Sequence, residues 1–280
     1  MAPGHGALLA VRLSIVTLAS PARPPRTPAQ VYRQTLWLLT TRDLRVRYST
    51  SALGYFWSVL DPLVMAGIYW FVFTQIFDKS VGQEPYIVFL LAGLLPWVWF
   101  TGAVSDSTRA FIKDAKLVRS TRLPRSVWIA RIVLAKGIEF VLSIPVIALF
   151  ALLAGAPLTW GVLWLPLAIV LQGVLILGIG LIVAPLVVFF RDLERAVKLI
   201  LRFLFYASPI IYGLADLPDG LEFWGSFNPL AGIFTLYRAS FFPELLDLRA
   251  VAIAAVMSLV LLGIGALVFR RTVRAVLKEI

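Results

Sequence analysis

Ionisable side chains inside long apolar segments are the first candidates for chemistry, because a charge in a membrane interior is costly and usually functional. Asp61 lies early in the first apolar segment, where it either takes part in transport or caps a helix entrance. Lys136 and Glu139 lie three residues apart, so they share one helix face and neutralise each other. We predict a structural ion pair for them, since such a pair and one Asp make a poor proton relay.

Residue types that are missing exclude several kinds of chemistry. The sequence contains no Cys, so a disulfide and a Cys nucleophile are excluded. Its one His is His5, so neither a His-based triad nor a site with several imidazole ligands can form. No phosphate-binding G-x-x-x-x-G-K-[ST] motif occurs. We therefore predict no catalytic residues, no metal site and no cofactor in this chain. Any vectorial work must draw on a partner or a gradient.

Six long apolar stretches must position the charged side chains. The sequence is 60% hydrophobic and only 15% charged, unlike a soluble domain. About 20 apolar residues suffice for a helix to cross a bilayer. The predicted spans are 54–77, 86–103, 127–154, 163–189, 196–212 and 251–269. The sequence therefore predicts an all-α integral membrane protein with six transmembrane helices.

The charges of the loops predict the orientation of these helices. The outer loops of this arrangement contain only three of the 26 Lys and Arg residues but seven of the 15 Asp and Glu residues. Short cytoplasmic loops carry an excess of Lys and Arg. Both termini are therefore predicted to be cytoplasmic, and the net charge of +11 reflects membrane topology and not nucleic-acid binding.

The N-terminal residues 1–29 are predicted to form a flexible cytoplasmic extension before a membrane domain at 30–280. An apolar run at 7–19 is interrupted by Arg12 and followed by a Pro-rich run. A cleaved signal peptide is the alternative, but it requires a basic region before an uninterrupted apolar core.

Residues 30–48 are too polar to span a membrane and are predicted to form an amphipathic interface helix. Tyr32, Leu36, Leu39 and Val46 fall roughly on one helical stripe. A helix of this kind lies in the cytoplasmic membrane interface. A solvated basic helix before the first span is the alternative interpretation.

Residues 110–122 are predicted to form a short cytoplasmic amphipathic helix. Phe111 and Val118 belong to its apolar face, and Lys113, Lys116 and Arg119 are interleaved with them. Such a helix presents apolar and charged groups to a soluble partner. The alternative is an ordinary basic loop held at the membrane by anionic lipid.

Residues 214–246 are predicted to form a re-entrant helical hairpin on the outer side. Asn228-Pro229 breaks an aromatic, apolar run into halves that are too short to cross. A complete crossing would put the Arg-rich tail outside, against the distribution of charge. Irregular backbone at membrane depth is tolerated beside protein or a water-filled cavity, so we expect this hairpin to border a pathway.

Aromatic residues form 13% of the chain and have two interpretations. One is an interfacial aromatic belt. The other is the wall of a route for sugars, whose C–H faces stack on aromatic rings. The candidate passage residues are Tyr69, Trp70, Trp97, Tyr212, Trp224 and Tyr237.

A series of short motifs resembles one family of membrane proteins in both order and placement. The motifs are Arg42-Asp43-Leu44, Arg47-Tyr48, Leu53-Gly54-x-x-Trp57, Pro62-Leu63, Gly93-Leu94-Leu95-Pro96-Trp97, Leu123-Pro124-Arg125, Phe190-Arg191-Asp192, Ser208-Pro209-Ile210-Ile211-Tyr212, Asn228-Pro229 and Tyr237-Arg238. From about residue 30 to the end, the sequence resembles the Wzm-type permease subunits of ABC exporters for O-antigen, capsule, teichoic acid and cell-wall galactan.

The resemblance implies an exporter subunit in the cytoplasmic membrane of a bacterium. It implies that the chain pairs with a second copy of itself and with two ATP-binding cassette subunits, which bind ATP and Mg. It implies a coupling role for 110–122 and a polysaccharide cargo on a polyprenyl-pyrophosphate lipid. Guanidinium groups bind phosphate in bidentate fashion, so Arg42, Arg45 and Arg47 are candidates for recognising that head group. Their alternative role is membrane topology and contact with anionic lipid.

Two other function classes share some of these features. A membrane-embedded glycan polymerase or ligase also has aromatic and Arg residues, but normally needs large outer loops with catalytic acids or His. An ion-coupled flippase of lipid-linked glycan needs paired repeats or buried titratable relays, and no internal repeat is visible.

Overall fold

The computed structural model describes residues 27–49, 56–76, 82–121, 123–218 and 220–279. The predicted N-terminal extension therefore lies almost entirely outside the described residues. In the described part, all regular structure is helical. The α-helices are α1 (Pro28–Ser49), α2 (Phe56–Trp70), α3 (Tyr86–Thr108), α4 (Ala115–Ser120), α5 (Val127–Leu153), α6 (Leu165–Phe189), α7 (Leu193–Ala207), α8 (Leu221–Gly225), α9 (Pro229–Arg238) and α10 (Leu248–Glu279).

Short helical segments of other types extend or connect these α-helices. A π-helix at Phe71–Ile76 continues α2, and a 3₁₀-helix at Trp160–Trp164 leads into α6. Two single 3₁₀ turns, Leu214–Asp216 and Pro243–Leu245, flank the pair α8 and α9.

Five helical segments in the described part of the chain are long and apolar enough to cross a membrane. They are Val59–Ile76, Tyr86–Thr108, Val127–Leu153, Trp160–Phe189 and Leu248–Glu279. The predicted span at 196–212 corresponds to α7, which has 15 residues and carries Glu194, Arg195, Lys198 and Arg202. These charges and the short length distinguish α7 from the other five, so the six-span arrangement remains a prediction.

Close packing between helices organises the bundle around α3. More than three quarters of the apolar window of α3 is buried, against 17% for α2. Glycines allow α6 and α10 to cross closely: a Cβ on Gly265 would lie 2.3 Å from the carbonyl oxygen of Gly178, and one on Gly178 would lie 2.7 Å from the backbone nitrogen of Leu262. Small residues permit such backbone contact in membrane bundles.

The residues of the predicted interface helix form α1, which packs along α5, and its position in the membrane interface remains a prediction. Leu39 is buried, and Tyr32 and Leu36 pack against the core as the stripe predicts. Val46 lies on the same stripe, but it is 61% exposed and does not reach the core. Seven residues beyond Leu39, Val46 instead lines a cytoplasmic cavity.

The predicted hairpin contains two short helices separated at the expected break. The Asn228 Oδ1 atom accepts a hydrogen bond from the Leu230 backbone nitrogen at 3.0 Å, and Pro229 occupies the first position of α9. A proline and a capping Asn both favour a helix start. Residues 230–238 of α9 are all buried, so this half of the hairpin packs in the core, whereas α8 is largely exposed.

Candidate functional site

A groove between α2, α3 and α7 is lined by several aromatic side chains. Its volume is about 560 Å³. Its lining residues are Asp61, Pro62, Met65, Tyr69, Leu94, Trp97, Val98, Thr101, Ser105, Lys198, Leu201, Arg202, Phe205 and Tyr206. Because α2 and α3 are candidate spans, the groove lies at membrane depth.

Phe205 on α7 joins the aromatic side chains of the groove. The centroid of its ring lies 6.0 Å from that of Tyr69 and 5.7 Å from that of Trp97, the latter in an edge-on arrangement. Tyr206 is 5.1 Å from Phe205, also edge-on. Aromatic rings at such separations support one another and form a continuous wall.

The predicted passage residues fall in three different environments. Tyr69 and Trp97 line the groove, and the Tyr212 hydroxyl donates to the Tyr206 carbonyl oxygen at 3.1 Å just beyond it. Trp70 is exposed but does not line the groove, and Trp224 is 69% exposed on α8.

The placement of Tyr237 on a passage wall is wrong within this chain. Tyr237 is 3% exposed and packs edge-on against Phe140 with the ring centroids 5.3 Å apart. All of α9 from Leu230 onward is buried, which encloses the ring. Conversely, Phe205 and Tyr206 are not among the predicted passage residues, although Lys198, Leu201, Arg202 and Phe205 recur at helical spacing on α7.

A second, larger cavity of about 1100 Å³ lies among the ends of α1, α3, α5 and α6 on the predicted cytoplasmic side. Its charged lining residues are Arg42, Asp43, Arg47, Asp106, Arg109, Lys113, Asp114, Arg131, Arg191 and Glu194. Six basic groups thus face four acidic ones.

A buried arginine connects three elements at this cavity. Arg131 on α5 is 3% exposed, and its Nη1 atom donates to Asp43 Oδ2 on α1 at 2.7 Å. Its Nη2 atom donates to Asp114, immediately before α4. Arg42 also contacts both carboxylates, at 3.1 Å for Asp43 and 3.4 Å for Asp114. The network is charge-balanced and fixes α1 to the segment that precedes α4.

The predicted ion pair of Lys136 and Glu139 is confirmed. Lys136 Nζ lies 3.2 Å from Glu139 Oε2. Arg47 on α1 joins the pair, because its Nη1 atom donates to Glu139 Oε1 at 2.7 Å and its Nη2 atom donates to Asp106 at 3.1 Å. The sequence predicts the local pair, but not the arginine from 92 residues earlier in the chain.

A third network ties α3 to α7. Arg109 Nε donates to Glu194 Oε2 at 2.9 Å, and Lys198 Nζ donates to Glu194 Oε1 at 2.6 Å. The hydrogen bonds from Arg109, followed by the one from Lys198, lower the pKa of Glu194 to about 2. The carboxylate therefore remains charged at any physiological pH.

These networks change the interpretation of the basic candidates. Arg42 and Arg47 are engaged with carboxylates, whereas Arg45 is exposed. Of the basic groups that line the cytoplasmic cavity, Lys113 and Arg191 have no carboxylate within 4.0 Å in the described part of the chain. The uncompensated charge therefore lies at these two side chains.

The predicted coupling helix is shorter than expected and has a different exposed face. Residues 109–114 form turns, and only Ala115–Ser120 is helical. Phe111 and Val118 are fully buried, and Phe111 stacks on Phe269 with the ring centroids 6.2 Å apart. The expectation that they face a partner is therefore wrong. Residue 122 lies outside the described residues.

The exposed face of this segment consists of other side chains. Ile112 is 45% exposed, and Lys113, Lys116 and Arg119 are exposed beside it. An isolated apolar side chain among three basic ones is a surface suited to an acidic partner.

The non-helical segment 208–212 after α7 is held by side chains from other elements. Arg238 donates to the carbonyl oxygens of Ile210 at 2.7 Å and Tyr212 at 3.2 Å, and its guanidinium lies 3.6 Å from the centroid of the Phe89 ring. The Tyr86 hydroxyl donates to the Ile211 carbonyl oxygen at 2.8 Å. Backbone acceptors outside a helix need such partners in an apolar environment, so this network fixes the outer end of α7.

Together, the helical bundle, the membrane-depth groove and the charged cytoplasmic face define a multi-pass membrane permease. The chain belongs to the ABC-2 type transporter family, whose profile matches residues 34–242. It is 35% identical over 237 residues to the O-antigen export system permease protein RfbA of Klebsiella pneumoniae, covering 84% of this chain and 91% of that protein.

Two further relatives extend the similarity to other organisms and cargoes. The O-antigen export system permease protein RfbA of Myxococcus xanthus is 31% identical over 241 residues, which cover 85% of this chain and 92% of that protein. The polysialic acid transport protein KpsM of Escherichia coli is 28% identical over 267 residues, which cover 90% of this chain and 98% of that protein.

Proposed function

We propose that this chain is the permease subunit of an ATP-driven exporter, which moves a polyprenyl-pyrophosphate-linked polysaccharide across the cytoplasmic membrane of a bacterium. The aromatic groove carries this proposal. Tyr69, Trp97 and Phe205 form a continuous wall at membrane depth, and a sugar ring stacks its C–H face on such a wall. The names of two relatives, an O-antigen export system permease protein and a polysialic acid transport protein, favour a polysaccharide cargo.

In the proposed arrangement α7 is the fifth of six crossings. Its 15 residues extend about 22 Å as a helix, and the non-helical segment 208–212 follows it. An additional crossing returns the C-terminal end of α10, with its four basic residues after position 269, to the side rich in positive charge. Both termini are then cytoplasmic.

A second copy of the chain closes the groove in the proposed complex. The groove opens on the outer surface of the bundle, where α2 is the least covered span. Apolar side chains of α7, among them Leu199 and Phe203, are exposed beside it. Two such surfaces facing each other would enclose one hydrated passage for a long glycan.

The lipid-linked head group is proposed to enter at the cytoplasmic cavity. A pyrophosphate requires cationic groups that are free to bind it. Lys113 and Arg191 meet that requirement, and Arg45 is exposed nearby on α1, whereas Arg42 and Arg47 are committed to structural pairs.

Two ATP-binding cassette subunits, which bind ATP and Mg, are proposed to dock on the exposed face of the 109–120 segment. Ile112, Lys116 and Arg119 present the contact surface. Movement of this segment reaches α1 through Asp114, Arg131 and Asp43.

Deletion of the gene tests the function in the bacterium that encodes it. The proposal expects loss of the surface polysaccharide and accumulation of lipid-linked glycan inside the cell, and ATPase-dead partner subunits should produce the same result. Full-length glycan on the surface of the deletion strain contradicts the proposal. A polymerase or ligase would instead leave short glycans, and an ion-coupled flippase would stop when a protonophore is added while ATP is maintained.

A further inference from the structure

Asp61 differs from every other charged residue in the first four candidate spans. Those spans contain Asp61, Asp106, Arg131, Lys136 and Glu139, and all of them except Asp61 form an ion pair in the described part of the chain. An unpaired carboxylate in hydrocarbon is costly, so a polar group or water must reach Asp61 in the working protein.

Arg202 lines the same groove and is also unpaired within the described residues. Both side chains are exposed to the cavity, and they are more than 4.0 Å apart, since no ion pair joins them. Thr101 and Ser105 on α3 add two hydroxyl groups to the same wall. One end of the groove therefore contains a carboxylate that accepts hydrogen bonds, a guanidinium that donates them and two hydroxyl groups.

The other end of the groove is aromatic. Tyr69 lies eight residues, or about 12 Å, further along the helix from Asp61, and Trp97 lies one turn of α3 before Thr101. An aromatic platform beside charged hydrogen-bonding groups is chemically suited to a saccharide ring, because the ring has an apolar C–H face and a polar rim of hydroxyls.

We infer that Asp61 and Arg202 form a saccharide-binding subsite, in which both hydrogen-bond to the hydroxyls of a sugar ring stacked against Trp97 and Tyr69. The carboxylate accepts from the sugar hydroxyls, and the guanidinium donates to the sugar oxygens. The ligand is one ring of the translocating glycan, so this inference rests on the proposed function.

Substitutions that preserve shape test this subsite in the full complex. Asp61→Asn and Arg202→Gln should each reduce the rate at which surface polysaccharide appears by about tenfold, as expected for loss of a hydrogen bond to a charged group. Arg195→Gln, on α7 but outside the groove, and Glu222→Gln, on α8, should export normally. Membrane abundance of each variant is measured alongside, and export is expressed per copy of permease.

Photocross-linking gives a direct readout of binding. A p-benzoylphenylalanine at Thr101 should cross-link to the radiolabelled glycan in the complex trapped with a non-hydrolysable ATP analogue, and one at Leu149, which is exposed on α5, should not. The Thr101 cross-link should decrease about tenfold in the Asp61→Asn background. If the Asp61→Asn/Arg202→Gln double variant both exports and cross-links at the wild-type level, the subsite is rejected and the exporter function stands.

A competing occupant is the second copy of the chain, whose Arg202 would pair with Asp61 across the dimer. Because the sequence has no Cys, Asp61→Cys and Arg202→Cys can be introduced together into a cysteine-free background. An intermolecular disulfide, or restored export in the exchange Asp61→Arg/Arg202→Asp, would overturn the saccharide subsite. Absence of permease-dependent surface glycan in the unsubstituted strain would instead reject the exporter function.

Discussion

Arg131 on α5 donates a 2.7 Å hydrogen bond to Asp43 on α1, and it also binds Asp114 in the segment before α4. Replacing Arg131 with Ala would leave two partly buried carboxylates without their main partner. We expect a loss of about 3–5 kcal/mol of stability, measured as a lower thermal midpoint in detergent. Arg191→Ala is the matched control, because Arg191 lines the same cavity without an ion pair in the described part of the chain. An equal loss of stability in Arg191→Ala would contradict the stabilising role of the Arg131 network.

Lys is not expected to replace the Arg238 guanidinium, which donates to two carbonyl oxygens, although Lys retains the charge. Lys cannot reach the carbonyl oxygens of both Ile210 and Tyr212 in the same planar geometry. Arg238→Lys should cost about 1–3 kcal/mol and raise the reactivity of a Cys introduced at Ile211 towards a water-soluble maleimide. Arg249→Lys, at an exposed position on α10, should leave both quantities unchanged.

The crossing of α6 and α10 should not tolerate a side chain at Gly178. A Cβ there would already lie 2.7–2.9 Å from the backbone of Leu261 and Leu262, so Gly178→Leu must separate the two helices. We expect almost no folded protein by size-exclusion chromatography. Gly263→Leu on α10 is the control, since a Cβ added at Gly263 would meet no atom of the described residues within 4 Å; similar damage from both changes would show that the crossing is not the cause.

Substitutions in the 109–120 segment should separate folding from coupling. Phe111→Asp buries a charge against Phe269 and should reduce the amount of folded permease. Ile112→Asp changes an exposed neighbour and should leave folding intact while weakening the docking of the ATPase subunits and export. The two effects are measured by membrane abundance and by co-purification. Normal co-purification of the Ile112→Asp variant would count against the proposed docking surface.

The Glu194 network should give an acid-dependent contribution to stability. Its carboxyl pKa is lowered from 4.5 to about 2 by Arg109 and Lys198, so the contribution is fully present above about pH 4.5 and is lost as the pH falls towards 2. Glu194→Gln should therefore lower the thermal midpoint at pH 7, and the difference from the unsubstituted protein should disappear as the pH approaches 2. A difference that persists at the lowest pH would indicate a packing role instead.

Among the charged residues, the sequence predicts local pairs and misses distant ones. Lys136 and Glu139 could be paired from their spacing, because three residues place two side chains on the same helix face. Asp43 and Arg131 could not, since 88 residues and several helices separate them. The sequence also predicts the break at Asn228-Pro229, because a capping Asn and a Pro at the first helical position act locally.

The sequence by itself determined an all-helical membrane protein, the approximate position of its apolar segments and the asymmetry of its charges. These properties follow from composition and from short-range periodicity, which need no knowledge of packing. Only the tertiary structure decided that Phe111, Val118 and Tyr237 are buried and that Asp61, Trp97, Phe205 and Arg202 line one groove. The physical reason is that a transmembrane helix such as α6 is apolar on all sides, so its sequence does not specify which face meets a neighbour. That choice depends on close contacts between distant segments, such as the one between Gly178 and Gly265.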